Sequence, residues 1–257
     1  MTTPENAKPK FKLKRFTSVS THDTSSTIST IHEKLCADVR YPAFEKVIRF
    51  INYELVDGAV LEFGVYTGRS LAALQIAEDR YRRDSMHTVS GPPRKFYGFD
   101  SFQGLYNSNH PRWTDGSFAK NHSWHPTIKV GETITPDAVK AFFKHIKLLE
   151  PEIIEGLYDD TLPIFVNAAF GKAAIIHIDC DLYESTLAVL NNLEPMLQQG
   201  TILLFDDYYN YKGSPYKGES AAFKTFQKSC SAHWNFVEYF QYGTFCKAFI
   251  TVAVEDL

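Results

Sequence analysis

The four cysteines of this 257-residue chain, Cys36, Cys180, Cys230 and Cys246, form no C-x-x-C pair. That excludes the usual zinc-ribbon and dithiol redox motifs. Reduced thiols in apolar surroundings fit a cytoplasmic protein. Charge of one sign is also scarce: the formal net charge is −3, so no basic surplus points to nucleic acid. No apolar run approaches the roughly 20 residues of a membrane span, and the polar N-terminus has no apolar core of a secretory signal. Internal repeats are missing. So are the phosphate fingerprints. After Gly64, Tyr66 and Arg69 stand where a G-x-G-x-x-G motif needs its second and third glycines, and no P-loop occurs, which disfavours NAD and ATP.

What the chain does have is two short apolar runs that end in acid. Ala173–Ile178 runs into Asp179, and Thr201–Phe205 runs into Asp206 and Asp207. Such runs read as strands buried on both faces of a parallel sheet. The segment between them is long enough for a crossover helix. Ligands of open parallel sheets bind at the carboxyl ends of the strands. If these two strands are neighbours, their tips lie about 4.8 Å apart, and three carboxylates there can hold one hard cation such as Mg²⁺. An acid after a strand also serves merely to start a turn; three at two such tips favour a site. Asp181 and Glu184 have the spacing of a capping box, so Asp181 is expected to cap the following helix and stay out of the metal set.

The rest of the chain builds an α/β domain around that pair. Residues 1–30 read as a polar tail or, with Phe11, Leu13 and Phe16 as anchors, an oligomerisation arm. Residues 31–257 read as a single domain. Apolar spacing predicts helix over 31–56, with Pro42 able to open a second one. Gly58–Val65 is a core strand that turns through Tyr66-Thr67-Gly68 into a helix near Arg69 or Ser70, a unit that offers N–H groups to a ligand. Glu62 before that turn disfavours phosphate and suits a cationic or hydroxyl-bearing ligand. Residues 80–94 read as an exposed loop. A strand over 95–99 ends in Asp100, placed to accept ribose hydroxyls. Residues 101–135 are irregular and aromatic, the pattern of an ordered lid. They hold His110, His122 and His125, and a lid histidine can act as general base, although each alone is an ordinary loop residue. Ile153–Ile154 lead to Glu155-Gly156 as a further strand. Tyr208, Tyr209, Tyr211 and Tyr216 can line a sugar or aromatic pocket or pack at a subunit contact. Residues 236–240 and 245–254 close the sheet as an antiparallel terminal pair.

In order, the motifs are Glu62-Phe63-Gly64 with Gly68, Phe99-Asp100-Ser101-Phe102-Gln103-Gly104-Leu105, Asp159-Asp160-Thr161-Leu162-Pro163, His177 to Thr186, and Asp206-Asp207-Tyr208. Together they resemble the macrocin O-methyltransferase family, class I S-adenosylmethionine (SAM) enzymes acting on antibiotic sugars, over about residues 56–249. The resemblance implies a Rossmann-like α/β fold, with a mostly parallel seven-stranded sheet, an antiparallel terminal strand and helices on both faces. It implies that Glu62, Phe63, Gly64, Tyr66, Thr67, Gly68 and Ser70 form the SAM loop. Asp100, Ser101 and Phe102 would bind the ribose, and Glu155 and Gly156 would border the adenine, with Asp179 also at the cofactor. It implies Mg²⁺ on Asp179, Asp206 and Asp207, and a general-base histidine at His122 or His125. Tyr106 stands where the family often has proline, and the lid is longer and more aromatic.

The expected function is therefore Mg²⁺-dependent methylation of a sugar hydroxyl on a small-molecule acceptor, a nucleotide-activated deoxysugar or a glycosylated natural product, by a cytoplasmic homo-oligomer without nucleic-acid or membrane partners. The alternatives are a catechol-type O-methyltransferase, a catalytically silent SAM-fold binding module, and a metal-dependent hydrolase.

Overall fold

A computed structural model describes residues 28–84, 91–108, 110, 112–168 and 171–256. Most of the expected N-terminal tail or arm lies outside the described residues, as does part of the 80–94 loop. In chain order the elements are α1 (Ile28–Cys36), α2 (Tyr41–Tyr53), β1 (Ala59–Phe63), α3 (Arg69–Asp84), β2 (Phe96–Asp100), α4 (Pro136–His145), β3 (Glu152–Glu155), α5 (Tyr158–Ala168), β4 (Ala173–Ile178), α6 (Tyr183–Leu193), β5 (Ile202–Phe205), the short turn α7 (Asn210–Gly213), α8 (Gly218–Ser229), β6 (Trp234–Tyr242) and β7 (Cys246–Ala253).

All six residues of β4 and all four of β5 are buried, as nearly continuous apolar runs demand of central strands, with His177 of β4 the one polar side chain among them. The seven strands form one sheet in the order β3-β2-β1-β4-β5-β7-β6. β1 to β5 are parallel, and β7 runs antiparallel to both β5 and β6. Alternating side chains feed two cores. Val60, Ile175, Ile202 and Leu204 pack with α1 to α4. Leu61, Ile176, Leu203 and Phe205 pack on the other face with α5, α6 and α8. The chain reverses direction in strand order between β1 and β4, so the crevice at their carboxyl ends is the natural ligand site.

Several boundaries differ from the sequence expectation. The 31–56 segment is two helices, broken over residues 37–40, with Pro42 in the first turn of α2, where its missing N–H costs nothing. Helix α3 runs on to Asp84, so residues 80–84 are helical rather than loop. Asp181 does not cap α6. The N-cap is Leu182, with no side-chain cap, and Asp181 takes a positive φ of 57° in the turn before it.

Candidate active site

A cavity of about 600 Å³ opens at the carboxyl ends of the parallel strands. Gly64, Tyr66, Asp100, Ser101, Gly156 and Asp179 line it, from the tips of four strands. Asp100 sits at the tip of β2. Its Oδ2 accepts the Tyr66 N–H at 2.8 Å and its Oδ1 the Phe102 N–H at 2.8 Å. The Val65 N–H is a third backbone donor to this carboxylate, which leaves acceptor capacity for a ligand hydroxyl. Burial lifts this carboxyl above the ordinary range despite those donors. The loop after β2 and the start of α5 complete the walls, with Leu105, Tyr106, Phe118, Leu157 and Tyr158. Leu105 closes the Phe99–Leu105 motif and Tyr106 is the departure that follows it, whereas Phe118, Leu157 and Tyr158 are singled out by no sequence pattern.

The two acid-ended strands are direct neighbours, with Ile178 opposite Phe205. Asp206 N donates to Ile178 O at 2.9 Å, which locks the two tips together. At the tips lies a larger acid cluster than the expected three. Asp207 N donates to Glu219 Oε2 at 2.9 Å, and Asn210 Nδ2 donates to Asp207 Oδ1 at 2.6 Å. Asp181, freed from capping, is hydrogen-bonded to Asp207 instead. Burial and the neighbouring carboxylates push Asp179, Asp207 and Glu219 well above the usual range. Burial and Asp179 push Asp181 up to about 7. Asp206 goes the other way. Burial opposes its charge, but Arg40 and His177 outweigh burial and hold it down to about 2.

Two cations answer this cluster. His177, in mid-strand on β4, is fully buried, and its Nδ1 bonds Glu62 Oε2 at 2.9 Å across the β1–β4 pair. Its Nε2 points toward Asp206 Oδ1 at 3.8 Å, too long for a hydrogen bond. Burial disfavours the charged ring, but Asp206 and Glu62 outweigh it and raise His177 to about 10. A His and a Glu inside otherwise apolar core strands are the sequence signal for this pair. Arg40, in the break between α1 and α2, is the second cation. Its Nη1 lies 3.2 Å from Asp179 Oδ2 and 3.1 Å from Asp206 Oδ2. Its Nε and Nη2 reach the two oxygens of Asp38 at 3.0 and 3.1 Å. Nothing in the sequence marks Arg40, because its contacts are 139 and 166 residues away.

The expected site residues therefore divide. Gly64, Tyr66, Asp100, Ser101, Gly156 and Asp179 face the cavity; among the described residues that line it, Glu62, Phe63, Thr67, Gly68, Ser70, Phe102 and Glu155 do not appear. Glu62 is wholly buried with one oxygen on His177 and the other accepting Ser70 Oγ at 3.0 Å. It acts behind the cavity, through His177. Phe63 stacks on Phe99 at 4.8 Å. A side chain at Gly68 would meet Val139 Cγ1 at 2.9 Å, so this glycine lets α4 close on the turn. His125 is also a supporting residue. Its Nδ1 accepts the Ile128 N–H at 2.9 Å, which makes Nε2 the protonated nitrogen donating to Thr67 O at 3.2 Å. Burial and Arg69 lower it to about 4. Both ring nitrogens are thus engaged with the backbone of Thr67 and of Ile128. His122 is exposed on the lid, and its backbone N donates to Tyr66 Oη at 2.6 Å.

The profile of the family described as macrocin O-methyltransferase (TylF) matches residues 6–232. This chain belongs to that family. A relative from Streptomyces olivaceus, 8-demethyl-8-(2,3-dimethoxy-alpha-L-rhamnosyl)-tetracenomycin-C 4'-O-methyltransferase, is 31% identical over 60% of this chain and 54% of its own. Mycinamicin III 3''-O-methyltransferase of Micromonospora griseorubida is 26% identical over 60% and 56%. The chain thus spans about half the length of the curated relatives it matches. Among solved structures, the O-methyltransferase NovP aligns with a TM-score of 0.59 at 20% identity over 83% of this chain and 79% of its own. CalS11, a TDP-rhamnose 3'-O-methyltransferase of calicheamicin biosynthesis, aligns at 0.55 and 22% identity over 88% of each. At these identities the structural likeness shows the fold: the class I methyltransferase sheet expected from the sequence.

Proposed function

We propose that this chain is a Mg²⁺-dependent SAM O-methyltransferase that methylates a sugar hydroxyl of a nucleotide-activated sugar or a glycosylated natural product. The observation that carries the reading is the continuity of the 600 Å³ cavity from Asp100 to Asp179, at the edge of the acid cluster. Family membership and the sugar-methylating relatives support it. For a metal, the ligand atoms that lie within 4.8 Å of one another belong to His177, Asp179 and Asp206; the two carboxylates are hard oxygen donors that suit Mg²⁺, with Asp207 next to Asp206 at the same strand tip. The raised Asp179, Asp207 and Glu219 carboxyls report a repulsion that a divalent cation relieves. The unpartnered His177 Nε2 faces the same cluster.

In this reading Asp179, Asp206 and Asp207 hold the ion. When bound, SAM would supply an electrophilic methyl and Mg²⁺ would lower the pKa of the acceptor hydroxyl. The chain supplies placement, which is most of what an in-line displacement needs. Asp100 offers its remaining acceptor capacity to the ribose hydroxyls. Gly64 and Gly156 leave room along the cavity walls. Asp181, on the cavity wall and hydrogen-bonded to Asp207, is the carboxylate placed to accept the hydroxyl proton; His122 is the other candidate, on the lid. The aromatic run Tyr208-Tyr209, with Lys247 Nζ 5.1 and 5.7 Å from their ring centres, gives the acceptor side a surface for a sugar or its aglycone.

Calorimetric titration with S-adenosylhomocysteine, with and without Mg²⁺, tests the cofactor. Micromolar or tighter binding is expected; no binding in either condition overturns the reading. Methyl transfer to nucleotide sugars and glycosides, but not to catechols, then tests the acceptor. Asp181→Asn is expected to lower kcat by about 10²-fold or more with analogue binding retained. A His122→Ala variant with the larger loss would move the base to the lid. The homo-oligomer is part of the same proposal, and sedimentation of the full chain beside a form lacking residues 1–30 tests it.

A further inference from the structure

Arg40 stands where the acid cluster would receive its metal. A single nitrogen, Nη1, lies within hydrogen-bond distance of both Asp179 Oδ2 and Asp206 Oδ2. Those are oxygens that a cation shared by the two strand tips would use. A divalent ion that takes those lone pairs competes with the Nη1 N–H groups directed at them. The seat is built rather than accidental. Asp38 grips the other edge of the guanidinium through two bonds, at 3.0 and 3.1 Å, and also accepts the Arg40 backbone N–H at 2.9 Å. The Arg40 carbonyl accepts from Ala43 and Phe44 at 2.9 and 3.1 Å, opening α2. Phe44 in turn packs edge-on against His177 at 5.5 Å. The side chain of Arg40 is only 16% exposed. Beside it, Glu219 Oε1 and His177 Nε2 are left without hydrogen-bond partners.

We propose that Arg40 is an internal placeholder cation. It holds the Asp179 and Asp206 tips together before metal arrives, and metal entry displaces it from Nη1's bridging position. The 37–40 break between α1 and α2 is the joint that lets it swing, since the Asp38 turn carries the arginine as one unit. The inference rests on the reading of these acids as the metal ligands. It adds that the measured metal affinity is an exchange of one cation for another, reduced by the fraction of molecules in which Arg40 is seated. The metal-free cluster is correspondingly kept from flying apart by like-charge repulsion.

The test is Mn²⁺ binding to the full-length protein, followed by calorimetry and by the spin signal of free Mn²⁺. Arg40→Gln is expected to bind Mn²⁺ at least about tenfold more tightly than wild type. Arg40→Lys, which keeps the charge but not the two-sided grip, is expected to fall between them. A purely long-range charge effect would leave the lysine form at wild-type affinity, and that result overturns the proposal. An equal or weaker affinity in Arg40→Gln overturns it as well, by making Arg40 an organiser of the site. Should the glutamine form fail to fold, hydrogen exchange on wild type decides. Saturating Mn²⁺ is expected to speed amide exchange across Asp38 to Phe44, and slower exchange there refutes displacement. Flat titrations for every variant would fail the metal reading itself, and the inference with it; a wild type that binds Mn²⁺ while Arg40→Gln binds no better fails the inference alone.

Discussion

Replacing Gly64 by alanine offers a sharp test of how the cavity is held. Gly64 has φ +89°, and a Cβ there would lie 1.8 Å from the carbonyl oxygen of Asp179. Contacts under 3.0 Å force a shift, so the β1 and β4 tips would have to separate by about 1.2 Å, the difference between 3.0 and 1.8 Å. Both partners are backbone, so no side chain can rotate away. The separation breaks the Asp179 N to Phe63 O bond of 2.9 Å, at about 1 kcal/mol. Positive φ in a residue with a side chain adds about 1–2 kcal/mol, and overpacking about 1–3 kcal/mol. Gly131 provides the control, because its φ is +86° and a Cβ there meets nothing within 4 Å. Gly131→Ala is thus expected to cost about 1–2 kcal/mol and Gly64→Ala about 3–6 kcal/mol, read from urea unfolding with equal m values. Since Gly64 and Asp179 both line the cavity, S-adenosylhomocysteine binding should weaken at least about tenfold in Gly64→Ala and stay unchanged in Gly131→Ala. Equal destabilisation by the two substitutions would refute the argument, because only the backbone approach distinguishes them.

Asp206→Ala is expected to abolish turnover while S-adenosylhomocysteine affinity survives, and to destabilise the metal-free protein by about 3–5 kcal/mol, because Arg40 and His177 lose their common carboxylate; undiminished turnover would remove Asp206 from the metal set. The His177 ring, raised from 6.5 to about 10, contributes stability that is complete below pH 6.5 and is lost as pH rises toward 10. Unfolding midpoints of wild type should therefore fall across that window more steeply than those of Glu62→Gln, and parallel profiles would contradict the pair. His125 is lowered from 6.5 to about 4, so its contribution is complete above pH 6.5 and fades as pH drops toward 4. Amide protection around Ile128 should fade over that range, and a His125→Asn lid should be insensitive to it.

The sheet was legible in the sequence because β4 and β5 are short, almost wholly apolar runs with acids at their ends, the pattern of strands buried on both faces. The acids Asp179, Asp206 and Asp207 were legible for the same reason. Asp100 was found from its position after β2. The residues around the Gly64 turn divide between the cavity wall and the core, since a glycine turn signals a ligand without telling which of its residues face it. Glu62, Thr67 and Ser70 turn inward because β1 is central and its neighbours bury them. Asp181 read as a cap because capping depends on spacing alone, whereas its positive φ, set by the turn, directs it to Asp207. Arg40 and Glu219 were invisible, because their roles depend on packing across long sequence separations that leave no local period.

Tyr66 joins two parts of the molecule at its opposite ends. Its backbone N–H is fixed to the Asp100 carboxylate, and its hydroxyl donates to Lys120 O at 3.2 Å and accepts the His122 N–H at 2.6 Å. The ring between them meets Phe118, a wall of the cavity, edge-on at 5.7 Å. A displacement of the Asp100 carboxylate is therefore passed through one residue to the loop at Lys120 and His122, so the tip of β2 and that loop are tied mechanically by a single tyrosine.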